Sequence, residues 1–231
     1  YFSGPKSELP EESGGWCDYM VELEFFKSMP EGIRKDAWFL TKVTMTGQER
    51  NPETGRYPLL NWDDPATNQK HPYWKKNIES SDWVFNYDDG YYETKGISSA
   101  SGKTRMIFRY ADILLLYAEA VAYGTKSIDD LAFDCMWRVQ ERAGVPLISK
   151  DVTKEYFQKA VLDERRWETA GMEHSCMGRF FTMQRHEILH LQKNYRDAAE
   201  LSLNPNLTLS EEFYYFPIPD NELLIVPGLK D

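Results

Sequence analysis

The chain is short of cysteine, of basic residues and of uninterrupted apolar sequence, and each shortage closes off a class of protein. Only three cysteines, Cys17, Cys135 and Cys176, occur in 231 residues. That number builds no disulfide framework, and the three thiols read as small buried hydrophobes. Basic residues number 27 against 37 acidic ones, a net charge of −10, which argues against phosphate-backbone binding and so against a nucleic-acid partner. No apolar run approaches the roughly 20 residues that cross a bilayer as a helix. An initiator methionine and a signal peptide are missing too. Tyr1 opens the polar, turn-rich stretch YFSGPKSELPEESGG, so the expectation is a piece of a longer precursor whose N-terminus carries no address.

What is present is the composition of a folded protein, 42% hydrophobic and 28% charged, with enough residues for one sizeable core or two small ones. Residues 1–104 read as a loop-rich region with short strands, and residues 105–231 as a helical region with an apolar tail. In the first region, a short helix is expected around Tyr19 to Lys27. IRKDAWFLTKVTM, from Ile33 to Met45, has the β-branched and aromatic content of a strand or short hairpin. Gly47 to Gly102 is irregular and punctuated by Pro52, Pro58, Pro65 and Pro72, a length that marks a functional loop or a wrap around a scaffold.

Four helices are expected next. Arg105 to Tyr123 is apolar nearly all round and reads as buried. Ser127-Ile-Asp-Asp caps a second helix that Gly144 and Pro146 stop. A third runs from Thr153 to Thr169 and a fourth from Cys176 to Lys193. The short link between the first two favours an antiparallel hairpin. From Leu207 to Val226, Pro217 and Pro219 argue for extended chain.

Asp112 and Glu119 are seven residues apart on one face of an apolar helix. As a pair, or with Glu164 and Glu168 in their place, they could serve as the two carboxylates of a glycosidase. Bracing is the better reading, because a buried carboxylate needs a partner and Arg138, Arg142, Arg165 and Arg166 stand on the neighbouring helices. His186-Glu187-Ile188-Leu189-His190 satisfies H-E-x-x-H, which on a helix would put two imidazoles on one face for zinc, with Glu187 as general base. No histidine follows His190, so the third ligand would have to be a carboxylate such as Glu200, Glu211 or Glu212. A zinc hydrolase on His186 and His190 therefore stands as the alternative, and two locally paired histidines as the preferred reading.

Between Tyr57 and Tyr92, aromatic rings alternate with Asp63-Asp64, Asp82 and Asp88-Asp89. Flat rings pack against the C–H face of a sugar while carboxylates accept hydroxyl hydrogen bonds. Trp62, Trp74, Trp83 and Tyr87 are the candidate stacking residues, and Asp64 and Asp88 the candidate hydrogen-bonding ones. A loop tied down by its own aromatics explains the same composition equally well. Neither NWDDPATN nor NYDDGYYE has EF-hand spacing, so calcium is a weak option. No cofactor is implied.

Five segments in order carry a resemblance. RYADILLLYAEAV (Arg109 to Val121) resembles R-x-A-D-x-L-L-x-Y-A-E-A. VQERAG resembles N-x-V-R-x-R-A-G, with Trp137 and Gln140 departing from it. ERRWE (Glu164 to Glu168) matches E-R-R-x-E. GRFFTMQR resembles H-R-F-F-D-L-R-R, with Thr182 for Asp, and FPIPDNELLIVPGL resembles a PIP-x-x-E tail with Val226 at an Asn position. Together they resemble the C-terminal part of the SusD/RagB family, closely over 105–231 and loosely at PEGIRKDAW. The resemblance implies a mainly α fold of tetratricopeptide-like helical pairs and a non-catalytic outer-membrane, surface-exposed lipoprotein. It implies an oligosaccharide ligand, or a peptide in some relatives, delivered to a SusC-like TonB-dependent transporter. Membrane contact would come only through an N-terminal lipid anchor outside this chain. The matched motifs are scaffold motifs, so the resemblance leaves the ligand open and puts no metal at His186.

Overall fold

The computed structural model describes residues 20–44, 49–55, 58–67, 70–75, 83–85, 92–94, 107–171, 173–203, 214–215, 217–226 and 228. Helices α1 (Leu23–Ser28) and α2 (Ile33–Trp38) precede strands β1 (Phe39–Leu40), β2 (Lys42–Thr44), β3 (Leu59–Asn61), β4 (Tyr73–Trp74), β5 (Trp83–Phe85) and β6 (Tyr92–Thr94). Then follow α3 (Tyr110–Tyr123), α4 (Asp130–Ala143), α5 (Lys154–Thr169), α6 (Glu173–Arg185), a 3-10 segment (Leu189–Tyr195), α7 (Ala198–Leu203) and α8 (Asp220–Ile225). The strands form three antiparallel ribbons, β1 with β4, β2 with β3 and β5 with β6. Two-stranded ribbons this short depend on packing for their stability.

Local chemistry sets the limits of the helices. Asp112 accepts from the backbone N–H of Arg109 at 2.9 Å and closes the start of α3. Asp129 accepts from Ala132 N at 2.8 Å at the start of α4, and Thr153 from Tyr156 N at 3.2 Å at the start of α5, each satisfying an orphan donor of the first turn. Gly144 ends α4 in the left-handed conformation, with Val145 N–H donating to the Gln140 carbonyl, the Schellman closure that favours glycine.

Two cores stand out among the described residues. The larger lies between α3, α4 and α5, around Leu115, Met136, Val139, Phe157 and Val161, and burying each of these side chains contributes about 1.5–3 kcal/mol. The smaller gathers Val21, Met29 and Phe39 with Phe25, Phe26, Trp38 and Trp74 against Trp167 and Ala170 at the end of α5. Helix α5 thus belongs to both.

Four expectations need correction. Ile33–Trp38 is helical instead of extended: as a helix turn it buries Arg34 and Lys35 and leaves only Phe39 onward to pair as strand. Helix α3 starts at Tyr110 and is not buried all round, since Tyr110, Ile113, Leu116, Tyr117 and Tyr123 form an exposed stripe opposite the buried Ala111, Leu115, Ala118 and Ala122. Helix α6 ends at Arg185, eight residues before Lys193. Glu187 takes a left-handed φ of 54°, and Ile188 N–H donates to the Met183 carbonyl, another Schellman-type stop. The segment after Pro219 is not wholly extended. Pro219 sits at the N-cap of α8, with Asp220 and Glu222 in its first turn, where proline costs no hydrogen bond and acidic groups complement the helix dipole.

Gly171 shows how tightly the second core closes. It has φ +63°, and a Cβ built there lies 2.4 Å from Cε3 of the Trp74 ring, far inside van der Waals contact. Gly171→Ala is therefore expected to lower stability by about 2 kcal/mol through the disfavoured φ and the displaced ring. Urea unfolding checks this, and an unchanged midpoint would contradict the packing of Trp74 on Gly171.

Candidate functional site

Three groups of residues carry enough chemistry to be considered, and two of them are built from the helical motifs. In ERRWE, the i and i+4 spacing puts Glu164 and Glu168 on one face of α5, both 1% exposed. Glu168 accepts from Arg109 at 2.8 Å, from Arg142 at 2.5 Å and from Arg34 at 3.2 Å. Glu164 accepts from Arg34 and from Gln140 at 3.4 Å. Arg109 also grips Asp112, at 2.6 Å through Nη2. One cluster therefore ties α2, the start of α3, α4 and α5 together.

Burial raises the pKa of Glu164 against the opposing pull of Arg34. A raised carboxylate is often a general acid, yet this one is closed from solvent and accepts only from Arg34 and Gln140. Both pairs of carboxylates are taken up by basic partners, so bracing describes both.

The second cluster centres on Glu119, which is 7% exposed through its side chain. It pairs with Arg165 of α5, with Arg185 at 2.8 Å and with His186 Nε2 at 2.8 Å, while the Tyr123 ring lies 3.9 Å from the imidazole. Of the expected basic partners, Arg142 and Arg165 brace neighbouring helices. Arg138 pairs instead with Asp134 on its own helix at 2.8 Å. Arg166 pairs with Asp163 at 3.3 Å and lies over the Phe25 ring.

This second cluster also settles the geometry of HEILH. His186 and Glu187 occupy a turn and His190 a 3-10 segment, so the two imidazoles do not share a face of an α-helix, and His186 is turned to Glu119. Among the described residues no three His, Cys, Asp or Glu side chains are placed to hold a metal.

The third group is aromatic. Trp62 is half-buried, its ring 5.8 Å from Phe26 and edge-on at 78°. Asp64 Oδ1 accepts from Ala66 N at 2.8 Å, and its carbonyl accepts from Thr67 Oγ1 at 2.8 Å, which shapes the Trp62–Thr67 turn. Trp74 pairs with Leu40's neighbour Phe39 across the β1–β4 ribbon, with ring centroids 5.2 Å apart, and Phe25 stands 6.4 Å away. The Phe26–Phe39 contact at 5.0 Å links the two tryptophans through one aromatic wall. Trp83 begins β5, opposite Thr94. Tyr87 and Asp88 lie outside the described residues.

Arg34 is the residue that motif reading missed. It lies 130 residues from Glu164 in sequence, and no local pattern announces such a pair. The one usable signal was an arginine on the inner face of IRKDAW once that segment is read as a helix.

Two outcomes follow from the charge clusters. Glu168→Gln removes the carboxylate that Arg34, Arg109 and Arg142 share, leaving Arg34 only Glu164 and Arg109 only Asp112 as acidic partners, and is expected to cost roughly 3 kcal/mol, read as a fall in the denaturation midpoint. Burial, then Arg185, Arg165 and Arg179, hold the His186 pKa below its ordinary 6.5; the Glu119 charge is already engaged by two arginines, so the surroundings favour the neutral ring. A depressed folded-state pKa adds stability that is complete above the unfolded value and is lost as pH falls through the folded one. Thermal melts from pH 7 to pH 5 are expected to decline less steeply for His186→Gln than for the unmodified protein, and parallel curves would contradict the assignment.

No curated protein matches the chain. Solved structures do. A SusD homologue from Bacteroides thetaiotaomicron superimposes with a TM-score of 0.66 at 18% identity, over 97% of this chain and 45% of that one. A SusD-superfamily protein from Parabacteroides distasonis gives 0.63 at 17%, covering 98% and 44%. Surface glycan-binding protein A from Bacteroides uniformis gives 0.55 at 18%, covering 98% and 44%. The chain thus spans less than half the length of these relatives, and at such identities the likeness shows a shared, mainly α fold of tetratricopeptide-like helical pairs. The SusD family model matches residues 1–231, and the chain belongs to the SusD family.

Proposed function

We propose that this chain is part of a non-catalytic binding protein at the outer-membrane surface, which captures oligosaccharide nutrients and passes them to a TonB-dependent transporter. Membership of the SusD family over the full chain carries this reading. The likeness to a surface glycan-binding protein supports the ligand class. The saturation of Glu119, Glu164 and Glu168 by basic partners supports a protein that binds without cleaving.

The ligand surface is the aromatic, acidic region before the helices. Trp62, Trp74, Trp83 and Tyr87 stack on sugar rings, and Asp64 and Asp88 accept from hydroxyls. Asp64 suits this role because its Oδ1 is held by its own turn and the carboxylate is aimed before any ligand arrives. The half-buried ring of Trp74 is backed by Phe25, Phe39 and Gly171. Such a stiff mounting reduces the ordering cost of binding.

Calorimetry with a panel of neutral oligosaccharides tests the reading. Trp62→Ala and Trp83→Ala are expected to weaken binding roughly tenfold, about 1.4 kcal/mol, as for aromatic anchors in other interfaces. Unchanged affinity in both variants would contradict the platform. Binding confined to peptides in a parallel screen would contradict the ligand class.

A further inference from the structure

A second place in the molecule has the makings of a ligand site, bordering the second core at Trp38 but lined by none of Trp62, Asp64 or Trp74. Helix α2 and the end of α4 enclose a cavity of about 190 Å³, lined by Ile33, Arg34, Ala37, Trp38, Arg142 and Ala143, with Arg109 and Glu168 on its buried side. That volume is below the roughly 300–1,000 Å³ of pockets for drug-sized ligands, and suits one small ring. Two kinds of surface meet in it. Ile33, Ala37 and Trp38 offer an apolar and aromatic wall, with Ile33 69% exposed. Opposite chemistry comes from the arginines.

Hydrogen-bond supply and demand in the cavity do not balance. Glu168 is saturated by three arginines. Arg109 commits Nε, Nη1 and Nη2 to Asp112 and Glu168. Arg142 commits only Nη2, to Glu168, while its side chain is 57% exposed. Behind it, Arg34 Nε and Nη2 are buried with no hydrogen-bond partner among the described residues. Donors remain at the mouth on the open edge of Arg142 and behind it on Arg34, while the carboxylates beside them are already engaged.

We propose that this cavity binds a carboxylate-bearing sugar ring, a uronic acid, with the carboxylate on the open edge of Arg142 and the C–H face of the ring against Trp38. A carboxylate supplies the planar, paired acceptor that a guanidinium fork matches. A neutral sugar would bring hydroxyls but no charge. The choice of a sugar over another small carboxylate rests on the reading of the protein as a glycan binder. The location does not, since none of the aromatic-loop residues lines the cavity.

Calorimetry and thermal-shift titration of the 231-residue chain with D-glucuronate, D-glucose and inorganic sulfate test this. Glucuronate is expected to bind with an affinity on the order of millimolar, and at least tenfold more tightly than glucose or sulfate. Arg142→Gln is expected to erase that preference. Because Arg142 also braces Glu168, a second variant keeps the network whole: Ala37→Trp fills the cavity from an exposed position and is expected to abolish glucuronate binding at unchanged melting temperature. Glucuronate binding no tighter than that of glucose or sulfate, or undiminished in Ala37→Trp, would overturn the proposal. Neutral-oligosaccharide binding that survives in Ala37→Trp and falls in Trp62→Ala reports on the aromatic loop separately, so the two readings fail independently.

Discussion

A carboxylate with 1% of its surface exposed is tolerable only if cations come to it, and Glu168 draws them from three directions. Arg34 arrives from α2, Arg109 from the residue that begins α3, and Arg142 from the last turn of α4. Arg34 takes Oε2 while Arg109 and Arg142 share Oε1, so the positions of the three elements are fixed relative to α5 and to one another. Hydrophobic burial around Leu115, Met136 and Phe157 supplies most of the favourable energy. It is non-directional, however, and does not say how α2 should sit. The charged cluster does, because a slip of α2 pulls Arg34 from both Glu164 and Glu168 and leaves buried Glu164 facing only Gln140 among the described residues, at a cost of several kcal/mol.

The same arithmetic limits what the helical region can do. ERRWE spends every residue on structure: Glu164 and Glu168 inward to the arginines, Arg165 to Glu119, Arg166 over Phe25, and Trp167 into the second core. His186 is drawn into the Glu119 cluster and away from His190. A region whose buried acids are all engaged is a rigid mount, and a rigid mount is what an irregular binding surface needs behind it. The proposed binding chemistry is assigned instead to residues 62–94 and to the cavity under α2.

Helices α3, α4 and α5 were legible because their signals are local: Asp129, Thr153 and Gly144 act within a turn of where they stand, and the apolar period repeats over fourteen residues or more. Misreadings came where distant partners decide. Nothing inside IRKDAW says that Glu164 and Glu168 will claim Arg34, so strand-like composition prevailed over the true helix. The stop after Arg185 rests on Glu187 adopting a conformation that glycine usually takes, which composition does not advertise. Only one side of α3 is covered among the described residues, although its sequence is apolar on both. In the candidate site, the types and neighbourhood of Trp62, Asp64 and Trp74 were readable, but not that Gly171, 97 positions after Trp74, would form the back of that ring.

The central claim is that the buried carboxylates of the helical charge clusters are scaffold and that neutral-glycan binding belongs to the region before them. Hydrogen–deuterium exchange with and without a bound neutral oligosaccharide tests it most directly. The account requires ligand-induced protection within residues 57–94 and none at Glu119, Glu164, Glu168 or His186–His190. Protection concentrated at those helical positions, or release of shortened sugars during the incubation, would contradict it.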